Sequence, residues 1–173
     1  MKTEELRALQ APLKQQYREQ PEAAQITLTA EGRLGEGITC SVQTGRAIAV
    51  AGLHPATGGD GLSLCSGDML LQALVACAGV TLNSVAAAIG VEVRGGVVRA
   101  DGLLDFRGTL AVGKEAPVGF QRIDLSFDLD TDASEEQLAT LIRLTERFCV
   151  VFQTLQHRPQ AHVTAQRVSE QHA

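Results

Sequence analysis

SGDMLLQALVACAGVTLNSVAAAIG, Ser66 to Gly90, is the stretch on which the fold turns: no charged residue lies between Asp68 and Glu92. Leu71, Val75, Ala78, Leu82 and Val85 form one helical ridge, and Leu70, Leu74, Cys77 and Thr81 form another. Ser66 is the expected N-cap, and Asp68 suits the positive end of the helix dipole. A helix apolar on every face is either buried on all sides or spans a membrane. Residues 67–89 make a rod about 35 Å long at about 1.5 Å per residue. Gln72, Thr81, Asn83, Ser84 and the many alanines argue against a membrane, as does the lack of a Lys/Arg-rich flank or aromatic belt. The reading is a buried helix with one thiol, Cys77, near its middle.

The totals narrow the function classes. A chain of 173 residues, 45% hydrophobic and 20% charged, has the size and composition of one globular domain. A net charge of −5 without a Lys/Arg cluster argues against nucleic acid and anionic membranes as partners. Aromatics at 3%, with no Trp, leave little for base stacking. The opening MKTEELRALQ has no apolar signal-peptide core, so a reducing, cytoplasmic setting is expected. Disulfides then do not explain Cys40, Cys65, Cys77 and Cys149. None of them forms a Cys-x-x-Cys pair, and His54, His157, His162 and His172 miss zinc-site spacings, so neither metal nor cofactor is expected.

Outward from the central run, the period predicts the remaining elements. Thr3 to about Gln20 reads as a helix with Leu6, Leu9, Leu13 and Tyr17 on one face, kinked or split at Pro12. It forms an arm, 1–23, that packs on the sheet or on a partner. The main domain is 24–168, and 169–173 is a tail. Ile26 to Ala30, Ile38 to Val42 and Ile48 to Val50 alternate as three antiparallel strands, with turns at Gly35–Gly37 and Gln43–Gly45 and with Cys40 facing inward. Leu53 to Ser66 is a Gly/Pro-rich loop of the length that often carries function; His54 and Asp60 are its candidates, against a plain loop role. Val91 and Val93 open a strand, Ala100–Gly102 makes a turn, and Leu104 to Val112 continue the alternation. Gly113 to Gly119 closes a hairpin onto Ile123, Leu125, Phe127 and Leu129, the cleanest strand of the chain. Ser134-Glu-Glu-Gln137 is a capping box for a second helix whose stripe runs Leu138, Leu141, Ile142, Thr145, Cys149, Phe152, Leu155. Ala161, Val163 and Ala165 suggest a last short strand. The fold class is α+β with an antiparallel sheet.

Two helical thiols in this setting carry a resemblance. LLQALVACAG, followed 72 residues later (Cys77 to Cys149) by ERFCVVFQTL, resembles the OsmC/organic hydroperoxide resistance superfamily over residues 24 to 168. The resemblance implies an OsmC-like fold: an antiparallel sheet wrapped around the long central helix, a second Cys-bearing helix, and an intertwined homodimer. It also implies a thiol-dependent reductase of organic hydroperoxides acting in oxidative-stress defence. Cys77 is then the peroxidatic thiol and Cys149 the resolving one, and an external dithiol of lipoyl type restores both.

The chemistry requires a lowered thiol pKa, and a mid-helix cysteine among Val75, Ala76, Ala78 and Val80 gains nothing from its own helix terminus. A cation is therefore expected. By resemblance it is Arg33, with Arg46 as the alternative, held by Asp68 at the helix head. Asp68 lies about 13.5 Å along the axis from Cys77 and about 180° around it, so it acts only indirectly or on a partner's site. Val150 and Val151 stand where relatives carry Pro and Ser, so the helix is expected to run through Cys149. Cys65, just before the central helix, is an alternative resolving thiol. The competing function is a non-catalytic stress or ligand-binding protein of the same fold.

Overall fold

The computed structural model describes residues 3–34, 40–42, 51–62 and 64–167. In chain order come helix α1 (Thr3–Glu19), strands β1 (Gln25–Leu34), β2 (Cys40–Val42), β3 (Ala51–Gly52) and β4 (Leu64–Cys65), and helix α2 (Ser66–Ile89). Strand β5 (Gly95–Asp105), the single turn α3 (Phe106–Thr109), strand β6 (Phe120–Asp130) and helices α4 (Glu135–Phe148) and α5 (Val150–Gln156) follow. An antiparallel sheet runs in the order β2-β1-β5-β6, and β3 and β4 make a short parallel pair.

The sheet and α2 form the core because their periods match. Val98, Ala100, Gly102 and Leu104 are buried on one face of β5, while Arg99 between them is exposed. Against that face α2 presents Leu71, Leu74, Val75 and Ala78. Further along, Leu82, Val85 and Ala86 meet Leu141 of α4 in a second cluster. Burying each of these large aliphatic side chains contributes roughly 1.5–3 kcal/mol. By length and composition α2 is the one helix among the described residues able to cross a membrane. It is instead the core helix of this sheet. Its burial is one-sided within the chain, with Leu70 at 37% and Val80 at 39% exposure on the opposite face.

Several expectations are corrected. The residue preceding α2 is Cys65, not Ser66, and no side chain caps the helix; Gly90, at φ 71°, ends it in the left-handed conformation that glycine tolerates. Val91 and Val93 lie in a connection, and β5 starts only at Gly95. Ala100–Gly102 is no turn: β5 runs straight through it, paired with β1 on one side and β6 on the other. Gly102 is there for close approach, since a Cβ would lie 2.3 Å from the Phe120 ring. Beyond Asp105 the alternation stops in α3, because the Asp105 carboxylate accepts the Arg107 N–H as a helix cap. Pro12 does not split α1, which runs unbroken through it. Residues 158–167 pair with no strand among the described residues, and Val163 is 96% exposed. Gly35–Gly37, Ile38, Gln43–Gly45, Arg46, Ile48 to Val50, the side chain of Cys40, and the tail 169–173 lie outside the described residues.

The arm α1 rests on the loop before α2. Tyr17 is buried, with its hydroxyl donating to the Ala56 carbonyl at 2.7 Å, and Gln10 Nε2 donates to the Thr57 carbonyl at 3.1 Å.

Candidate active site

Cys77 sits at the middle of α2, half-buried, beside the junction of α4 and α5. The second helix does not run through Cys149, as expected from sequence; it breaks there. Cys149 adopts an extended backbone (φ −71°, ψ 107°), ending α4 and starting α5. The β-branched pair Val150-Val151 lowers helix propensity at this point. Backbone groups on both sides of the break are satisfied. The Cys149 N–H donates to the Thr145 carbonyl at 2.9 Å, and the Gln153 N–H donates to the Cys149 carbonyl at 2.9 Å. Across the break, Gln153 Nε2 reaches the Glu146 carbonyl at 2.8 Å.

The break turns the first N–H groups of α5 onto Cys77. Burial pushes this thiol up, but hydrogen bonds from the Val151 N–H, the Cys149 thiol, the Thr81 hydroxyl and the Val150 N–H outweigh it. The net result is a thiol below its ordinary range, favouring thiolate. Cys149 behaves oppositely. It is fully buried, and burial pushes it up to about 11; the Phe152 N–H only partly offsets this, and the neighbouring Cys77 pushes it further. The two neighbouring thiols are therefore shifted in opposite directions, so that Cys149 holds its proton and Cys77 favours losing it. Thr81 and the two valine N–H groups were not foreseen. The signals were Thr81 one turn after Cys77 and the β-branched pair after Cys149.

The other predicted residues lie elsewhere. Arg33 is 67% exposed and faces Glu31 at 3.8 Å. In register it stands opposite Val97, in the row that also pairs Glu31 with exposed Arg99. That row is the sheet face turned away from α2, and the hydrogen bonds that lower the Cys77 pKa come from Val151, Cys149, Thr81 and Val150. Asp68 remains two and a half turns from Cys77; burial raises its pKa and the nearby His54 lowers it. Cys65 is twelve residues from Cys77, about 18 Å along the helix, beyond disulfide reach within one chain. Asp60 is exposed and accepts the Leu62 N–H in a local turn. Among the described residues no group of three His, Cys, Asp or Glu side chains is arranged to hold a metal ion.

Comparison with known proteins bears on this geometry. A family model described as OsmC-like protein matches residues 58–164. Among solved structures, an OsmC-like hydroperoxide resistance protein from Jannaschia sp. CCS1 is similar in fold. Its TM-score is 0.56 at 17% identity, with 86% of this chain and 95% of that one covered. No curated protein matches the chain.

Proposed function

This chain belongs to the OsmC-like protein family, and on that premise we propose that it is a thiol-dependent reductase of organic hydroperoxides. The observation that carries the reading is the opposed pair of thiols at the helix break: Cys77 favoured as thiolate and Cys149 held as thiol, each shifting the other's proton affinity. In the first step Cys77 S⁻ attacks the terminal oxygen of R–O–O–H. The O–O bond breaks, the alkoxide leaves and takes up a proton as R–OH, and Cys77 becomes a sulfenic acid. Cys149, deprotonating as it attacks, then displaces hydroxide from Cys77 sulfur; the proton and hydroxide leave as water and a disulfide forms. An external dithiol of lipoyl type reduces that disulfide by two exchange steps and is itself oxidised.

A second copy completes the site in this reading. Ala73, Cys77, Val80 and Ser84 follow one another at spacings of four, three and four along α2, on the face its own sheet leaves uncovered. A homodimer that buries this row encloses Cys77 in apolar surroundings, which suits a hydrophobic peroxide in a cytoplasmic protein. The test is cumene hydroperoxide consumption by the reduced protein with excess dithiol. Consumption that survives Cys77→Ser overturns the assignment.

One observation favours a second reading, a non-catalytic protein of the same fold: Arg33 faces Glu31 on the outer sheet face within this chain. That reading predicts iodoacetamide alkylation of Cys77 with the pH profile of an ordinary thiol, and a lower midpoint eliminates it.

A further inference from the structure

The head of α2 borders a cavity that neither Cys77 nor Cys149 lines. It has a volume of about 320 Å³, at the lower end of the roughly 300–1,000 Å³ range of small-molecule pockets. Leu53, Leu70, Phe106 and Phe120 supply apolar walls. Leu70, the lining residue of α2 that lies furthest toward Cys77, precedes it by seven residues, about 10.5 Å along the axis.

The polar end of this cavity includes groups able to donate hydrogen bonds. His54 lines it, and its Nδ1 accepts the Ala56 N–H at 3.0 Å. In the neutral ring that bond leaves the proton on Nε2, so the side chain offers a single N–H. Ser66 and Gly67, also lining residues, belong to the first turn of α2, whose N–H groups no side chain caps. Asp68 is near His54 but is not part of the lining.

This end is also held rigid. The His54 ring stacks on Phe106 with centroids 5.2 Å apart and 27° between planes. Phe106 follows Asp105, a buried carboxylate paired with Arg107 at 2.6 Å. The turn after His54 is tied to α1 through Tyr17 and Gln10. A preformed, donor-lined apolar pocket loses little ordering entropy when it is filled.

We propose that this cavity binds a small apolar carboxylic acid. The carboxylate sits against His54 Nε2–H and the first-turn N–H groups of α2, and the alkyl or aryl body lies between Leu53, Leu70, Phe106 and Phe120. The assignment goes beyond the peroxide chemistry and does not depend on it, since Cys77 does not line the cavity.

The experiment is a calorimetric titration of the full-length reduced protein with octanoate and, in parallel, 1-octanol. A charge-assisted hydrogen bond of about 1.5 kcal/mol makes octanoate bind about tenfold tighter than octanol. His54→Phe keeps an aromatic ring against Phe106 but removes the N–H, and it erases that preference. Gly119→Phe fills the mouth, because a Cβ at this lining residue meets nothing within 4 Å; both ligands weaken about tenfold or more, as expected when apolar burial is lost. Cys77→Ser leaves both affinities unchanged. Octanol binding as tightly as octanoate to the parent protein overturns the carboxylate assignment. Octanoate binding unaltered by Gly119→Phe, or absent at millimolar concentration, overturns the site.

Discussion

Cys77 and Cys65 are both tied to α2, yet their surroundings differ in the one respect that governs thiol chemistry. Cys65 precedes the first turn of the helix, where the free N–H groups lie, and its side chain makes no capping bond to them. Cys77 lies in mid-helix, where its own backbone N–H groups are committed, and receives the N–H groups of Val150 and Val151 from another helix. A helix terminus activates a thiol by aiming donors at the sulfur; adjacency in sequence does not ensure that aim. Two neutral amides and the Thr81 hydroxyl are among the groups that stabilise the Cys77 thiolate.

Exchanging the two thiols one at a time breaks or sustains this contrast with the largest effect. Cys77→Ser is expected to lower peroxide consumption on the order of 10³-fold or more, as removal of a reacting nucleophile does. Cys65→Ser leaves it within about twofold, the scale of a surface change remote from the reacting atoms. Steady-state consumption measured on both variants separates the two sites, and equal losses would dissolve the distinction.

The next largest effect tests what holds the cavity end of the molecule. Asp105 is fully buried and its pKa is lowered, mainly by the hydrogen bonds from Arg107. Asp105→Asn leaves Arg107, which is 17% exposed, without its main partner, and stability falls by about 3 kcal/mol, the lower part of the range for a broken buried pair. In the parent protein this contribution is complete above the unfolded carboxylate pKa of about 3.9 and is lost as pH falls through the lower folded value. Urea midpoints measured between neutral and acid pH on both proteins converge if the assignment holds.

Cys149→Ser sharpens the division of labour at the break. The first turnover is retained, the sulfenic acid on Cys77 persists and reacts with dimedone, and steady-state consumption declines. Mass spectrometry of the adduct reads this directly. In the parent protein, alkylation against pH gives a midpoint below the ordinary thiol range for Cys77 and one near 11 for Cys149.

The smallest change isolates one donor. Val150→Pro removes a single N–H aimed at Cys77, at the first position of α5 where proline is tolerated, after a residue already extended at ψ 107°. One hydrogen bond of about 1 kcal/mol corresponds to a rise of about 0.7 in pKa, or up to roughly fivefold slower alkylation at neutral pH. An unaltered rate would mean that Val150 N–H does not act on the sulfur.

Much of this was legible in the chain before folding was considered. An uncharged run with helical spacing dictates a core helix, clean alternation over residues 120–130 dictates a half-wet strand, and Ser134 with Gln137 dictates a cap; each signal is local. The turn assigned to Ala100–Gly102 failed because Gly102 serves the Phe120 ring of a neighbouring strand, a demand that no short window contains. The unbroken second helix failed because the hydrogen bonds bridging Cys149 come from both sides of the break and from Gln153 four residues on. Arg33 lies on the outer sheet face within the chain because the parity of the β1 register sends its side chain there, a placement that no short window of sequence contains.

By itself, the sequence determined the core helix, the half-wet strand over residues 120–130, the apolar stripe of α2 and a thiol in each of two helical stretches, all consequences of periodicity and residue chemistry. Only the tertiary structure decided that Cys77 and Cys149 become neighbours, which groups lower one and raise the other, and that a cavity forms at the head of α2. Hydrogen bonding and desolvation depend on distances between segments far apart in the chain, and those distances exist only once the sheet and helices have packed.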